Sequence, residues 1–169
     1  KKLTVSFHNI SIQTDDAEDV WLPKFYFHHM EMEKALENRY DWRKQALKEL
    51  FAKNIHVLIE RLSTAAKAPR LVLWENIYVY VFWLYENVLP EITDEGIRIR
   101  AMEDFDYLIS EAPGNLFGYD DRRNPIQRFY NYKKRVSSHQ LESSVRTTCC
   151  FSHLLEGSVK RCKTCPQNR

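Results

Sequence analysis

The chain has 169 residues, a net charge of +2, 44% hydrophobic and 13% aromatic content, which is enough to bury one globular core and too apolar for a disordered chain. Its four glycines, Gly96, Gly114, Gly118 and Gly157, are too scattered for a Gly-x-Gly-x-x-Gly turn or a phosphate loop, so the standard nucleotide-binding classes are excluded. The charge is divided: residues 1–127 carry 16 Lys/Arg against 21 Asp/Glu, whereas residues 128–169 carry 9 against 2.

The chain starts at Lys1 rather than Met and reads as a fragment or processed form of something longer. Leu3, Val5 and Phe7 alternate, which predicts a short extended segment with its partner expected further upstream. A first helix is predicted around Leu22 to Asn38, with His28, His29, Glu31 and Glu33 as polar residues on its surface rather than a metal site, because a bundle di-iron centre wants two Glu-x-x-His units. Leu47, Leu50, Phe51, Ile55, Leu58, Ile59 and Leu62 form one helical stripe, so residues 41–66 read as a long amphipathic helix capped by Asn38 or Asp41.

After Pro69, Leu71 to Val88 is apolar on most faces and predicts the central helix, stopped by Pro90. Trp74, Tyr78, Tyr80 and Tyr85 are expected to pack the core. Glu75, Asn76, Glu86 and Asn87 interrupt the run, which argues against a membrane span. Thr93 offers a cap for a further helix through Ile97, Ala101, Phe105, Leu108 and Ile109. Turn residues from Pro113 to Pro125 lead to a basic aromatic piece, residues 128–135, and a short helix is expected before the cysteines. The expected architecture is mainly α, with about five helices and minor strand content near the N-terminus. A helical body, 1–127, and a basic C-terminal segment, 128–169, pack as one domain.

All four cysteines, Cys149, Cys150, Cys162 and Cys165, fall within this basic segment. Two bridges inside one tail would leave the helices unstapled, and adjacent cysteines bridge badly to one another, which disfavours disulfides. A tetrathiolate zinc ion and an iron–sulfur cluster are the competing readings. The adjacent Cys149-Cys150 points consecutive side chains apart, which is awkward for one tetrahedral ion and easier for a cluster with two separated irons.

Val145-Arg146-Thr147-Thr148-Cys149-Cys150-Phe151 followed by Cys162-Lys163-Thr164-Cys165-Pro166 closely resembles the C-terminal motif of the FhuF-type ferric siderophore reductases. Leu73-Trp74-Glu75-Asn76 is similar to a Leu-Trp-x-Asn element of those proteins and of the C-terminal domains of aerobactin-type siderophore synthetases. The specific match covers the C-terminal motif and this helix. The spacer of 11 residues between Cys150 and Cys162 is one longer than the family's usual, a change with little loop-closure cost.

The resemblance implies a 2Fe-2S cluster held by Cys149, Cys150, Cys162 and Cys165. It implies a cytoplasmic ferric siderophore reductase that passes one electron to the Fe(III) of an imported, anionic hydroxamate or citrate-hydroxamate complex. Reduction loosens the grip of hard oxygen ligands on the iron. Arg128, Lys133, Lys134, Arg135, Arg146, Lys160, Arg161 and Lys163 are candidates for steering and docking such an anion, with Arg146 foremost. The scarcity of glycine disfavours direct nicotinamide binding, so a ferredoxin or reduced flavin is the expected donor. His153 is read as a neighbour of the site, since four cysteines already complete the ligand set. The rival reading is a zinc-stabilised nucleic-acid-binding module using Arg128-Phe129-Tyr130-Asn131-Tyr132-Lys133-Lys134-Arg135, disfavoured by the modest isoelectric point of about 8.3.

Overall fold

The computed structural model describes residues 2–3, 7–14, 23–35, 38–120, 124–138, 146–154, 161–162 and 165–168; at 2, 3, 7, 132–138 and 168 it describes the main chain alone. The fold is mainly α. Among the described residues five α-helices follow in order: α1 (Arg39–Leu50), α2 (His56–Ala66), α3 (Arg70–Trp83), α4 (Glu95–Asp106) and α5 (Pro125–Ser138). Among the described residues no helix is long and apolar enough to cross a membrane.

The expected helix over residues 22–38 does not form. Its described part contains β3 (Lys24–Phe27) and β4 (Met32–Glu33). β3 pairs antiparallel with β2 (Ile10–Gln13), Ile10 opposite Phe27, and β4 pairs with β1 (Lys2–Leu3). Phe25, Tyr26 and Phe27 are aromatic residues that favour a pleated ribbon over a helix, and Tyr26 donates to Gln13 across it at 2.9 Å. The partner of the first extended segment therefore lies downstream, at Met32 and Glu33, rather than upstream; Val5 lies outside the described residues. His28, His29, Glu31 and Glu33 are exposed on this ribbon, not on a helix.

Asn38 caps α1, its Oδ1 accepting from the Asp41 N–H at 3.1 Å. Helix continues through residues 39–66, but with a π-turn at Phe51–Ile55. The extra residue in that turn rotates the apolar stripe, so Phe51 and Ile59 are buried while Leu50, Leu58 and Leu62 face outward. α3 is the central helix, with Trp74, Tyr78 and Phe82 inside. Tyr80 departs from its expected core position: it lies with Val79 and Trp83 on the outer face, 73% exposed. A π-turn at Leu84–Val88 and a 3-10 turn around Pro90 close this segment. The cap of α4 falls on Asp94, one residue beyond Thr93, its Oδ1 accepting from the Ile97 N–H at 2.9 Å.

The core is a continuous aromatic layer. Phe51 packs on Phe117 with ring centroids 4.9 Å apart, Tyr78 on Phe129 at 5.0 Å, and Tyr85 stacks on Phe105 at 4.4 Å. Each such ring contributes about 1.5–3 kcal/mol of burial. α5 runs across residues 127–128 without interruption, and Ile126 and Phe129 are fully buried, so the first helix of the basic segment is part of the helical body. Its start is built by buried Asn124, whose Oδ1 accepts from Ile126 and Gln127 N–H while its Nδ2 donates to the carbonyls of Leu108 and Ala112.

Candidate metal centre

The cysteine loop is attached to α3 through a buried carboxylate. Glu75 is 1% exposed on a helix that otherwise turns apolar residues inward, and a carboxylate there needs partners. It finds them in the two residues before the cysteine pair. Oε1 accepts from the Thr147 N–H at 2.5 Å and from Thr147 Oγ1 at 2.8 Å; Oε2 accepts from the Thr148 N–H at 2.8 Å and from the Thr148 hydroxyl. Arg146 completes the contact, with Nε 3.7 Å from Glu75 Oε2 and Nη2 donating to Asn76 Oδ1 at 2.5 Å.

From this anchor the chain delivers Cys149 and Cys150 to the later pair. Among the described residues no disulfide forms. The sulfurs stand in two couples: Cys150 Sγ is 4.0 Å from Cys162 Sγ, and Cys149 Sγ is 4.0 Å from Cys165 Sγ. Two thiolates bound to one tetrahedral metal, at about 2.3 Å each, stand about 3.8 Å apart. Each couple is therefore close to the spacing of a shared metal ion. Among the described residues no group of three or more His, Cys, Asp or Glu side chains is gathered to hold a single ion.

The loop itself is tightly turned. Phe151 takes a left-handed conformation at φ 61°, its N–H points to Cys149 Sγ at 3.4 Å, and the Cys165 N–H donates to the Cys162 carbonyl at 3.0 Å, closing the Cys-x-x-Cys turn. His153 lies beside the site as expected, Nδ1 3.7 Å from Cys149 Sγ.

Two of the thiols are held below the ordinary cysteine range. For Cys150 the largest cause is the hydrogen bond with the Ser152 hydroxyl, 3.3 Å away, helped by the Ser152 N–H, Cys162 and the Arg146 charge against the cost of burial. For Cys165 it is the main-chain N–H of Gln167, with Cys149 and Arg161 adding to it. Hydrogen-bonded thiolates of lowered pKa are the form that ligates metal.

The proposed docking cations are dispersed. Arg146 is 12% exposed and committed to Glu75 and Asn76. Arg161 stands by Cys165. Arg128 is exposed on α5 and lines an open groove of about 410 Å³ with Arg70, Leu71, Trp74 and Tyr119. Arg70 is itself paired to Glu60 through two contacts of 2.6 Å. Lys133, Lys134 and Arg135 are on α5, but their side chains lie outside the described residues, as do Lys160 and Lys163 altogether. Glu75 is the site residue that motif reading missed. The available signal was a lone carboxylate in an apolar helix, which has to be either solvated or paired. Comparison with known proteins adds no relative: no family model matches the chain, and neither a curated protein nor a solved structure matches it.

Proposed function

We propose that the chain is a ferric siderophore reductase of the cytoplasm, in which Cys149, Cys150, Cys162 and Cys165 hold a 2Fe-2S cluster. The observation that carries this reading is the pairing of the four sulfurs two and two at 4.0 Å, on the motif that resembles the FhuF-type reductases. When bound, such a cluster supplies a one-electron carrier for the Fe(III) of an anionic hydroxamate or citrate-hydroxamate complex, which is released as Fe(II).

The chain's own residues make the setting. The main-chain N–H groups of Ser152 and Gln167 donate hydrogen bonds to sulfur, and such donors, with the nearby Arg146 and Arg161 charges, favour added negative charge on a thiolate-bound centre. Among the described side chains of the expected docking set, Arg161 and Arg128 are exposed and so available to an anionic substrate, whereas Arg146 is turned inward. A ferredoxin or reduced flavin is the donor this reading requires. The nucleic-acid alternative loses support from α5, where Phe129 is buried and Tyr130 packs against the core, leaving neither as an open stacking platform.

The test is optical. Anaerobically purified or iron–sulfide-reconstituted protein is expected to be red-brown, with visible absorption that bleaches under dithionite. A colourless protein carrying stoichiometric zinc overturns the reductase reading.

A further inference from the structure

The Glu75 carboxylate receives four hydrogen bonds from two consecutive residues, Thr147 and Thr148, one N–H and one hydroxyl of each. A surface carboxylate making one helical ion pair would need no such arrangement. Here each oxygen is matched to one residue, so the carboxylate grips a dipeptide and fixes both its main-chain position and its side-chain rotamers. The next two residues are Cys149 and Cys150. A chain fixed at Thr148 has few torsions left before the sulfurs, so the direction in which they leave α3 is set by Glu75.

We infer that Glu75 is the positioning residue of the metal centre, docking Thr147-Thr148 onto α3 so that Cys149 and Cys150 face Cys165 and Cys162 before any metal arrives. The inference rests on the metal-centre reading above but is a statement about the protein chain. An unanchored loop must be ordered at the moment of binding, and that ordering cost is subtracted from metal affinity. Docking on a rigid helix removes it in advance. Arg146 has a separate part: its guanidinium balances the buried charge and is held by Asn76, but it does not contribute the main-chain grip on the threonines.

Glu75→Gln keeps the volume and replaces one acceptor oxygen by an NH2 group. That group faces an N–H, which it opposes donor to donor, and a hydroxyl, which has to rotate to accept instead, so the main-chain hold on that side is lost. Thr147→Val with Thr148→Val removes only the two hydroxyl bonds and serves as a milder second variant.

The experiment titrates the metal-free 169-residue chain with Co²⁺ and follows the thiolate-to-cobalt absorption, with helix content and thermal unfolding recorded alongside. The E75Q variant is expected to keep its helical signal, to bind Co²⁺ at least about 10-fold more weakly and to show an altered cobalt spectrum, in the range that loss of an outer-shell partner produces. The double valine variant is expected to fall between it and the wild type. Wild-type affinity and an unchanged spectrum in E75Q overturn the inference.

Amide exchange of Thr147 and Thr148 in the wild-type metal-free protein gives an independent reading, decisive if E75Q fails to fold. Protection supports preformed docking, and exchange at unstructured rates overturns it. Wild-type protein that shows no thiolate–cobalt absorption, yet protects these amides, counts against the metal centre and in favour of the dock.

Discussion

Arg146 and Asn76 lie 70 positions apart in sequence and are joined by a 2.5 Å hydrogen bond from the guanidinium to the side-chain carbonyl, beside the Arg146–Glu75 ion pair. This contact links the two sequence elements that resemble the siderophore reductases, the tryptophan-bearing helix and the cysteine motif. It also places Arg146 in a structural position, with its charge spent inside the protein.

Arg146→Glu is therefore expected to harm metal loading and substrate reduction together. It sets a second carboxylate against buried Glu75 and costs stability on the order of 3–5 kcal/mol, the range for breaking a buried pair. Thermal unfolding measures the loss of stability, cluster content the metal loading, and ferric-chelate turnover the reduction. A variant that loads its cluster normally but loses only anionic substrates would return Arg146 to a docking role.

Cys149→Ser and Cys162→Ser each remove one sulfur from a different couple. Either change is expected to abolish cluster colour and reduction of a ferric hydroxamate at once. Turnover retained by a colourless variant would rule out cluster-mediated transfer.

The side-chain hydrogen bond between Cys150 and Ser152 is the largest cause that holds the Cys150 thiol below the ordinary range. In the metal-free protein Cys150 should be alkylated by iodoacetamide at a lower pH than an unperturbed cysteine, because the thiolate is the reacting form. Ser152→Ala should move that profile upward. The lowered value also stabilises the fold at pH above the ordinary thiol pKa, and this contribution is lost as pH falls through the lowered value. Identical alkylation profiles for the two proteins would remove Ser152 from the account.

Gly118 closes the turn before α5 at φ +85°, and a Cβ built there would stand 2.5 Å from His56 Cγ. Gly118→Ala meets both the left-handed backbone and the imidazole, and should cost more than about 1 kcal/mol. Denaturant unfolding checks it; an unchanged midpoint would mean that His56 moves aside freely.

Asn124→Ala removes a side chain that makes four hydrogen bonds to the main chain, two at the end of the α4 segment and two at the start of α5. A loss of about 1–3 kcal/mol is expected, the cost of a lost cap together with orphaned buried groups. Since α5 leads into the cysteine segment, hydrogen exchange should show its first turn loosening before the rest of the core. Uniform protection with no loss of stability would contradict this.

The sequence by itself determined the helical body, because apolar spacing along residues 41–109 and the stops at Pro69, Pro90 and Pro113 are local properties of the chain. It also singled out the four cysteines as candidate ligands, since residue type and spacing are local properties of the chain. Local spacing could not show how the π-turn at Phe51–Ile55 rotates the helix face, nor that Phe25, Tyr26 and Phe27 would find Ile10–Gln13 and form a ribbon. Tertiary structure also decided the roles of Glu75 and Arg146. In sequence Glu75 reads as an interruption of an apolar run and Arg146 as a docking cation, whereas burial, a property of the whole fold, pairs them inside the protein.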